Sequence, residues 1–176
     1  MTPNATGSEQ LERFRKQGKS WLSQAENFLE DAQEEFERHH YSESVLASIQ
    51  CIELSMKSIY LFYGFEPPKI HKVELEIENR KENKQKLNPF KIAIEQLETI
   101  LEREKFPPHI TPQSIIKCFL NFKLWGEFYT LAKYGSLRFG MGPEKLFGRQ
   151  EAELALCHAE ECRLLAYYIK DYLKLY

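Results

Sequence analysis

Gln50, Glu53 and Lys57 follow one another at spacings of three and four. On a helix that spacing lines up an amide, a carboxylate and an ammonium as one narrow stripe. Glu preceding Lys by four is the attractive order. The surrounding stretch, "ASIQCIELSMKSIYLFYGFEPPKIH" from Ala47 to His71, is otherwise almost wholly apolar. The stripe therefore has two readings, an ion pair satisfying itself at a helix crossing or part of a ligand cleft. A second group, Lys133, Tyr134 and Arg138, sits around the glycine-rich stretch "GSLRFGMGPEKLFG" from Gly135 to Gly148. Cations beside free backbone N–H groups suit a phosphate. Cys157, His158 and Cys162 offer ligand chemistry in "CHAEEC", but no second ligand pair accompanies them. With Cys51 and Cys118 set among apolar residues at no zinc or disulfide spacing, the expectation is buried free thiols, no metal and no cofactor. Tandem His39-His40 fits a helix C-terminus, where positive charge is favoured.

These groups need elements to hold them. Trp21, Ala25, Phe28, Ala32 and Phe36 mark a first amphipathic helix from about Ser8 to Arg38. Ser42 is placed to cap a second helix that runs to Tyr63 and stops at Gly64, with Pro67-Pro68 preventing its resumption. "KVELEIENRKENKQK" reads as a charged loop at about 72–88. Asn88-Pro89 opens a helix carrying Phe90, Ala93, Ile94, Leu97 and Leu101, which breaks before Pro107-Pro108. Thr111-Pro112 opens another, with Ile115, Phe119, Phe122, Trp125, Phe128, Tyr129 and Ala132, ending at Tyr134-Gly135. The last helix spans about Arg149 to Lys174 on Ala155, Ala159, Cys162, Leu165, Ile169 and Tyr172. With no strand pattern in competition, the fold class is all-α, an antiparallel helical bundle.

The second helix is unusual. Val45, Ile49, Ile52, Met56, Ile59 and Tyr63 form one face, and Ala47, Cys51, Leu54 and Leu61 nearly the opposite one. Such a helix must be covered twice, by other helices of this chain or by a second copy.

A length of 176 residues fits a single domain over 1–176, and 43% hydrophobic and 13% aromatic residues can build its core. Charged residues at 28% make a water-facing surface. No apolar run is expected to approach the roughly 20 residues that cross a bilayer, and the start "MTPNATGSEQ" lacks a signal-peptide core. The expected location is cytoplasmic. A net charge of -2 gives no global attraction to nucleic acid, so any such binding must come from a local patch.

"WLSQAENFLEDA" from Trp21, "YSESVLASIQCIELSMKSIYLFYGFEPPKIH" from Tyr41, and "LAKYG" followed by "LFGRQEAELALCHAEE" together resemble the HEPN domains, the nucleotide-binding domains of higher eukaryotes and prokaryotes. The resemblance runs from Trp21 to about Leu173. It implies an up-and-down four-helix bundle with an additional short helix, commonly a homodimer. It also implies one of three roles: a ribonuclease toxin of a toxin–antitoxin pair, a non-catalytic nucleotide-binding or regulatory module, or a partner of a minimal nucleotidyltransferase. His71, after the proline pair, matches a histidine common in the family, which caps the next segment or lines a cleft.

The ribonuclease branch uses Arg and His four to six residues apart near the start of the last helix. Histidine moves the proton while arginine stabilises charge developing on phosphate. No histidine lies between His109 and His158 here, so that motif is missing from its place. Arg103 and His109 have the spacing, but with Pro107-Pro108 between them and in the wrong part of the chain. The expectation is a non-catalytic module that homodimerises and binds a nucleotide or a protein partner through Gln50, Glu53, Lys57, His71, Lys133, Tyr134 and Arg138. The contrary readings are a ribonuclease and a purely structural dimer; RNA is a lesser candidate, and no membrane partner is expected.

Overall fold

The computed structural model describes residues 7–67, 89–103, 106 and 109–175, with the side chains of 89–92 and 103 outside the description. The chain is all-α. Its helices are α1 (Gly7–Glu37), α2 (Tyr41–Phe62), α3 (Pro89–Arg103), α4 (Pro112–Tyr134), α5 (Pro143–Leu146) and α6 (Arg149–Tyr172). His71 and the expected charged loop at about 72–88 lie outside the described residues.

The helix ends show why the chain turns where it does. At the end of α1, Arg38 bonds Glu34 and Glu35, and His40 Nδ1 lies 2.7 Å from Glu35 Oε2. These contacts, His40 foremost, hold the half-buried Glu35 carboxyl below its ordinary range. His40, and not Ser42, is the N-cap of α2; Ser42 sits one residue inside it and donates to Glu43. The other end of α2 closes on Gly64 at φ 82. Phe65 N–H reaches Tyr60 O and Gly64 N–H reaches Leu61 O, the paired bonds that satisfy a helix's last carbonyls around a left-handed residue. Helix α4 starts as its sequence dictates, with Thr111 Oγ1 accepting from Ser114 N–H at 3.2 Å and Pro112 at the first position.

Helices α2 and α6 form the central pair, and α1 and α4 each pack against both of them. The level contacts fix directions. Ser44 Oγ donates to Ala32 O near the α1–α2 turn, while Arg15 Nε donates to Phe62 O at the far end, so α1 and α2 are antiparallel. Arg149 lies over the Phe36 ring and Cys51 Sγ bonds Ala159 O, so α6 runs parallel to α2. Trp125 meets His158, and His109 meets Tyr168, so α4 runs against α6. Helix α3 joins the far end of α2, where Tyr60 OH donates to Ala93 O at 3.1 Å.

The double cover that α2 demands comes from this chain. Val45, Ile49, Ile52, Met56 and Ile59 are buried on one face, and so are Cys51 and Leu61 on the other. At Gly18 of α1 a Cβ would stand 2.8 Å from the buried Phe62 ring, so glycine sets how closely α1 lies on α2. Helix α2 is also long and apolar enough to span a membrane by length and composition, contrary to the expectation that no run approaches this. Its most apolar window is 67% buried inside the fold, which makes it a core helix. The α1 stripe is rotated by one position from its expected centre. Leu22, Ala25, Leu29 and Ala32 are buried, while Trp21, Phe28 and Phe36 are half-buried at the edge. On α6 the expected face is buried apart from Tyr172, which is 41% exposed.

Because Leu61 is sealed by its own chain, Leu61→Ala is expected to lower folding stability by about 2–5 kcal/mol, the cost of a buried leucine cavity. Denaturant unfolding should show the same loss at tenfold lower protein concentration. A loss that depends on concentration would place Leu61 at a contact between copies.

Candidate functional site

The end of α4 and the loop after it form the first candidate. Gly135 stops α4 at φ 73, and a Cβ there would lie 2.3 Å from Met141 O. Only glycine fits that close approach in a left-handed conformation. The approach exists because Ser136 and Met141 exchange backbone hydrogen bonds of 2.8 and 3.1 Å, pinching the loop into a tight finger. What the sequence presents as an open glycine-rich loop is thus a fixed turn followed by α5.

At the tip Leu137 is 99% exposed, Phe139 68% and Tyr134 66%. Lys133 Nζ lies 5.6 Å from the Tyr129 ring centroid and 5.3 Å from that of Tyr134, and Arg138 lies 5.8 Å from that of Phe139. Hydrogen bonding to Tyr134 and Tyr129 raises the Lys133 pKa, so this ammonium stays charged at neutral pH. Lys133 thus sits among the rings of Tyr129 and Tyr134 at the end of α4, and Arg138 beside the ring of Phe139 in the loop that follows. Rings stack on bases or fill apolar pockets, and cations beside them meet phosphate or carboxylate.

The stripe of α2 is elsewhere. Lys57 is ion-paired with Glu53, their side chains only 16% and 14% exposed, and Gln50 is half-buried one turn earlier. Trp125 is level with His158, and Cys51 with Ala159. Lys133 is therefore two turns beyond that level in one direction and Lys57 nearly two in the other, a separation of roughly 20 Å along the axis. One small ligand does not span both groups.

A groove of about 270 Å³ between the start of α4 and the second half of α6 was not anticipated. His109, Ser114, Lys117, Glu161 and Tyr168 supply its polar lining over a floor of Ile110, Cys118 and Leu165. Lys117 and Glu161 are ion-paired at 2.6 Å, and His109 stands edge-on to Tyr168 at 4.7 Å. The available signal was the run Glu161, Leu165 and Tyr168, which recurs at helical spacing on α6. Its partner face on α4 could not be known before the two helices were placed together. Arg103 ends α3, and its side chain is outside the described residues.

The "CHAEEC" residues diverge. Cys157 is exposed, against the expectation of a buried thiol, whereas Cys162 is buried against Cys118. The hydrogen bond to Cys118 and burial both raise the Cys162 pKa, and burial pushes Cys51 up to about 12, so both stay protonated and weakly nucleophilic. His158 turns to Trp125, whose indole N–H donates to Nδ1 at 3.0 Å. An indole can only donate, so Nδ1 must be an unprotonated acceptor. Burial lowers the His158 pKa, with Glu161 opposing and Lys117 reinforcing the shift.

Two outcomes follow from these geometries. Lys57→Met leaves the Glu53 carboxylate without its ammonium in a mostly buried setting and is expected to cost about 1–3 kcal/mol in denaturant unfolding. His158 binds its proton more weakly folded than unfolded. Its contribution to stability is thus complete above the ordinary histidine value of about 6.5 and is lost as pH falls through its lowered native value. His158→Gln keeps an acceptor for Trp125 but cannot titrate. Denaturant midpoints of wild type should therefore fall more steeply than those of His158→Gln below pH 6.5; parallel curves would show that His158 is not the titrating group.

No curated protein and no solved structure matches the chain. The model of the HEPN domain family does match, over residues 19–167, from the middle of α1 through most of α6. That span holds the α2 ion pair, the finger and all of the α4–α6 groove lining but Tyr168, and the chain belongs to the HEPN domain family.

Proposed function

We propose that this HEPN domain is a non-catalytic cytoplasmic module that homodimerises and binds a nucleotide or a protein partner, such as a minimal nucleotidyltransferase, through the finger between α4 and α5. The observation that carries this reading is the fixed loop that holds Leu137, Phe139 and Tyr134 out to water beside Lys133 and Arg138. A loop pinned by its own backbone loses little entropy on binding, and exposed rings and cations are the residue types that anchor ligands. Gln50, Glu53 and Lys57 support the fold away from the finger in this reading.

The ribonuclease alternative asks for Arg and His on one scissile phosphate. His158, the histidine of the last helix, instead points inward to Trp125. His109 faces Tyr168 in the α4–α6 groove, beside Lys117 rather than an arginine of the last helix.

Thermal shift with purine and pyrimidine nucleotides and short single-stranded RNA tests the proposal. A ligand that prefers the folded state at a hundred times its Kd adds about 2.7 kcal/mol of apparent stability. A nucleotide that raises Tm in wild type is expected to lose most of that effect in Lys133→Ala/Arg138→Ala, while unliganded Tm changes little at these exposed positions. Purified protein should leave RNA intact. Cleavage that disappears in Arg103→Ala or His109→Ala would establish the ribonuclease reading in its place.

A further inference from the structure

Two thiols from facing helices meet at the α4–α6 groove. Cys118 of α4 lines the groove, and Cys162 of α6 is fully buried against it. The Cys162 sulfur lies 3.8 Å from Cys118 O, and the two thiols also hydrogen-bond each other. Sulfur therefore stands beside sulfur, with an open groove leading to one of them. Cys51 is the third buried thiol, but it turns to Ala159 O and Ser55 and does not line the groove.

We infer that Cys118 and Cys162 are a peroxide-responsive pair: Cys118 reduces a hydroperoxide that enters the α4–α6 groove, and Cys162 then closes a disulfide on it. The two thiols are unequal in the way this sequence of steps needs. The hydrogen bond from Cys162 lowers the Cys118 pKa, with Lys117 reinforcing it and burial and Glu161 opposing. The same hydrogen bond and burial raise that of Cys162. Thiolate is the nucleophile, so the thiol that faces the groove is the attacker and Cys162 the resolving partner.

In the first step the Cys118 sulfur attacks one peroxide oxygen. An S–O bond forms and the O–O bond breaks; the departing hydroxide takes the proton that Cys118 gave up and leaves as water, with Cys118 now a sulfenic acid. In the second step the Cys162 sulfur attacks the Cys118 sulfur. The S–S bond forms, the S–O bond breaks, and hydroxide leaves with the Cys162 proton as a second water. Two thiols have lost two electrons and one peroxide has gained them. An S–S bond of about 2 Å asks for a small approach of side chains already in contact. The ring it closes runs from Cys118 to Cys162 and contains the whole finger and α5, so the bridge ties together the helices on either side of them. In a reducing compartment the thiol pair is the resting form and the disulfide the transient one.

Peroxide treatment followed by thiol mapping tests the pair. The full chain carrying Cys157→Ser, which removes the exposed thiol, is reduced, treated with hydrogen peroxide, and alkylated after denaturation. Peptide mass mapping should find Cys118 joined to Cys162 and Cys51 alkylated, with both bridged thiols recovered after dithiothreitol. When Cys162→Ser is added, dimedone should label Cys118 as the sulfenic acid. When Cys118→Ser is added instead, neither disulfide nor label should form. Three alkylated thiols after peroxide in excess, a bridge through Cys51, or dimedone on Cys162 in the Cys118→Ser chain would each overturn the assignment. Should either serine variant lose helical circular dichroism, the peptide map of the Cys157→Ser chain decides alone.

Discussion

Helix α2 carries apolar side chains around nearly its whole circumference, so removing it from water takes neighbours on several sides and not one. The chain supplies them by laying α1, α4 and α6 along it and closing its far end with α3. Tyr60, Phe62, Met56 and Ile59 are fully buried as a result. Small residues allow the close contact this needs: Gly18 lets α1 lie on Phe62, and Ser44 turns its hydroxyl to Ala32 O instead of to water. A helix buried so completely tolerates polar groups only when they arrive paired, which is the physical reason Glu53 and Lys57 stand one turn apart on it. The question raised by a carboxylate and an ammonium in an apolar stretch is answered by their mutual satisfaction.

Burying α2 in the centre decides which surfaces remain for function. Helix α4 covers α2 and α6 with one side only, leaving the Ile116, Leu120 and Leu124 ridge uncovered. Its last turn reaches about the level where α2 begins and leads into the finger that carries Leu137. The groove at its first turns lies between α4 and α6, away from the α1 side. The exposed rings and cations and the groove consequently lie on α4 and its flanks, while the Glu53–Lys57 pair of α2 is largely enclosed in the packing. This division explains why two groups that look alike in sequence, Lys57 and Lys133, have unlike roles: one is enclosed with a carboxylate, the other rides over exposed rings.

Much of the architecture was legible residue by residue. Thr111-Pro112, Gly64 and Gly135 punctuate helices through local geometry, which depends on backbone conformation and near neighbours alone. The period of Ala155, Ala159, Cys162, Leu165 and Ile169 marked the buried face of α6 for the same reason. The α2 cap was misplaced by two residues because His39, at φ 64, turns the chain early and lets His40 take the capping position. The α1 stripe was displaced by one because large aromatic residues mark the edge of a packed face as readily as its centre, and their bulk is only partly covered.

The sequence by itself determined the helical periods, most of the helix ends, the attractive four-residue order of Glu53 and Lys57, and the resemblance to the HEPN family through ordered motifs. Each depends on residues within a few turns of one another or on their order along the chain. Only the tertiary structure decided that the second face of α2 is covered internally, that Lys57 and Lys133 lie roughly 20 Å apart, that Lys117 meets Glu161 across a groove, and that Leu120 faces outward. Those outcomes depend on which helix lies beside which, and the distance between two residues on different helices is set by packing that no local spacing encodes.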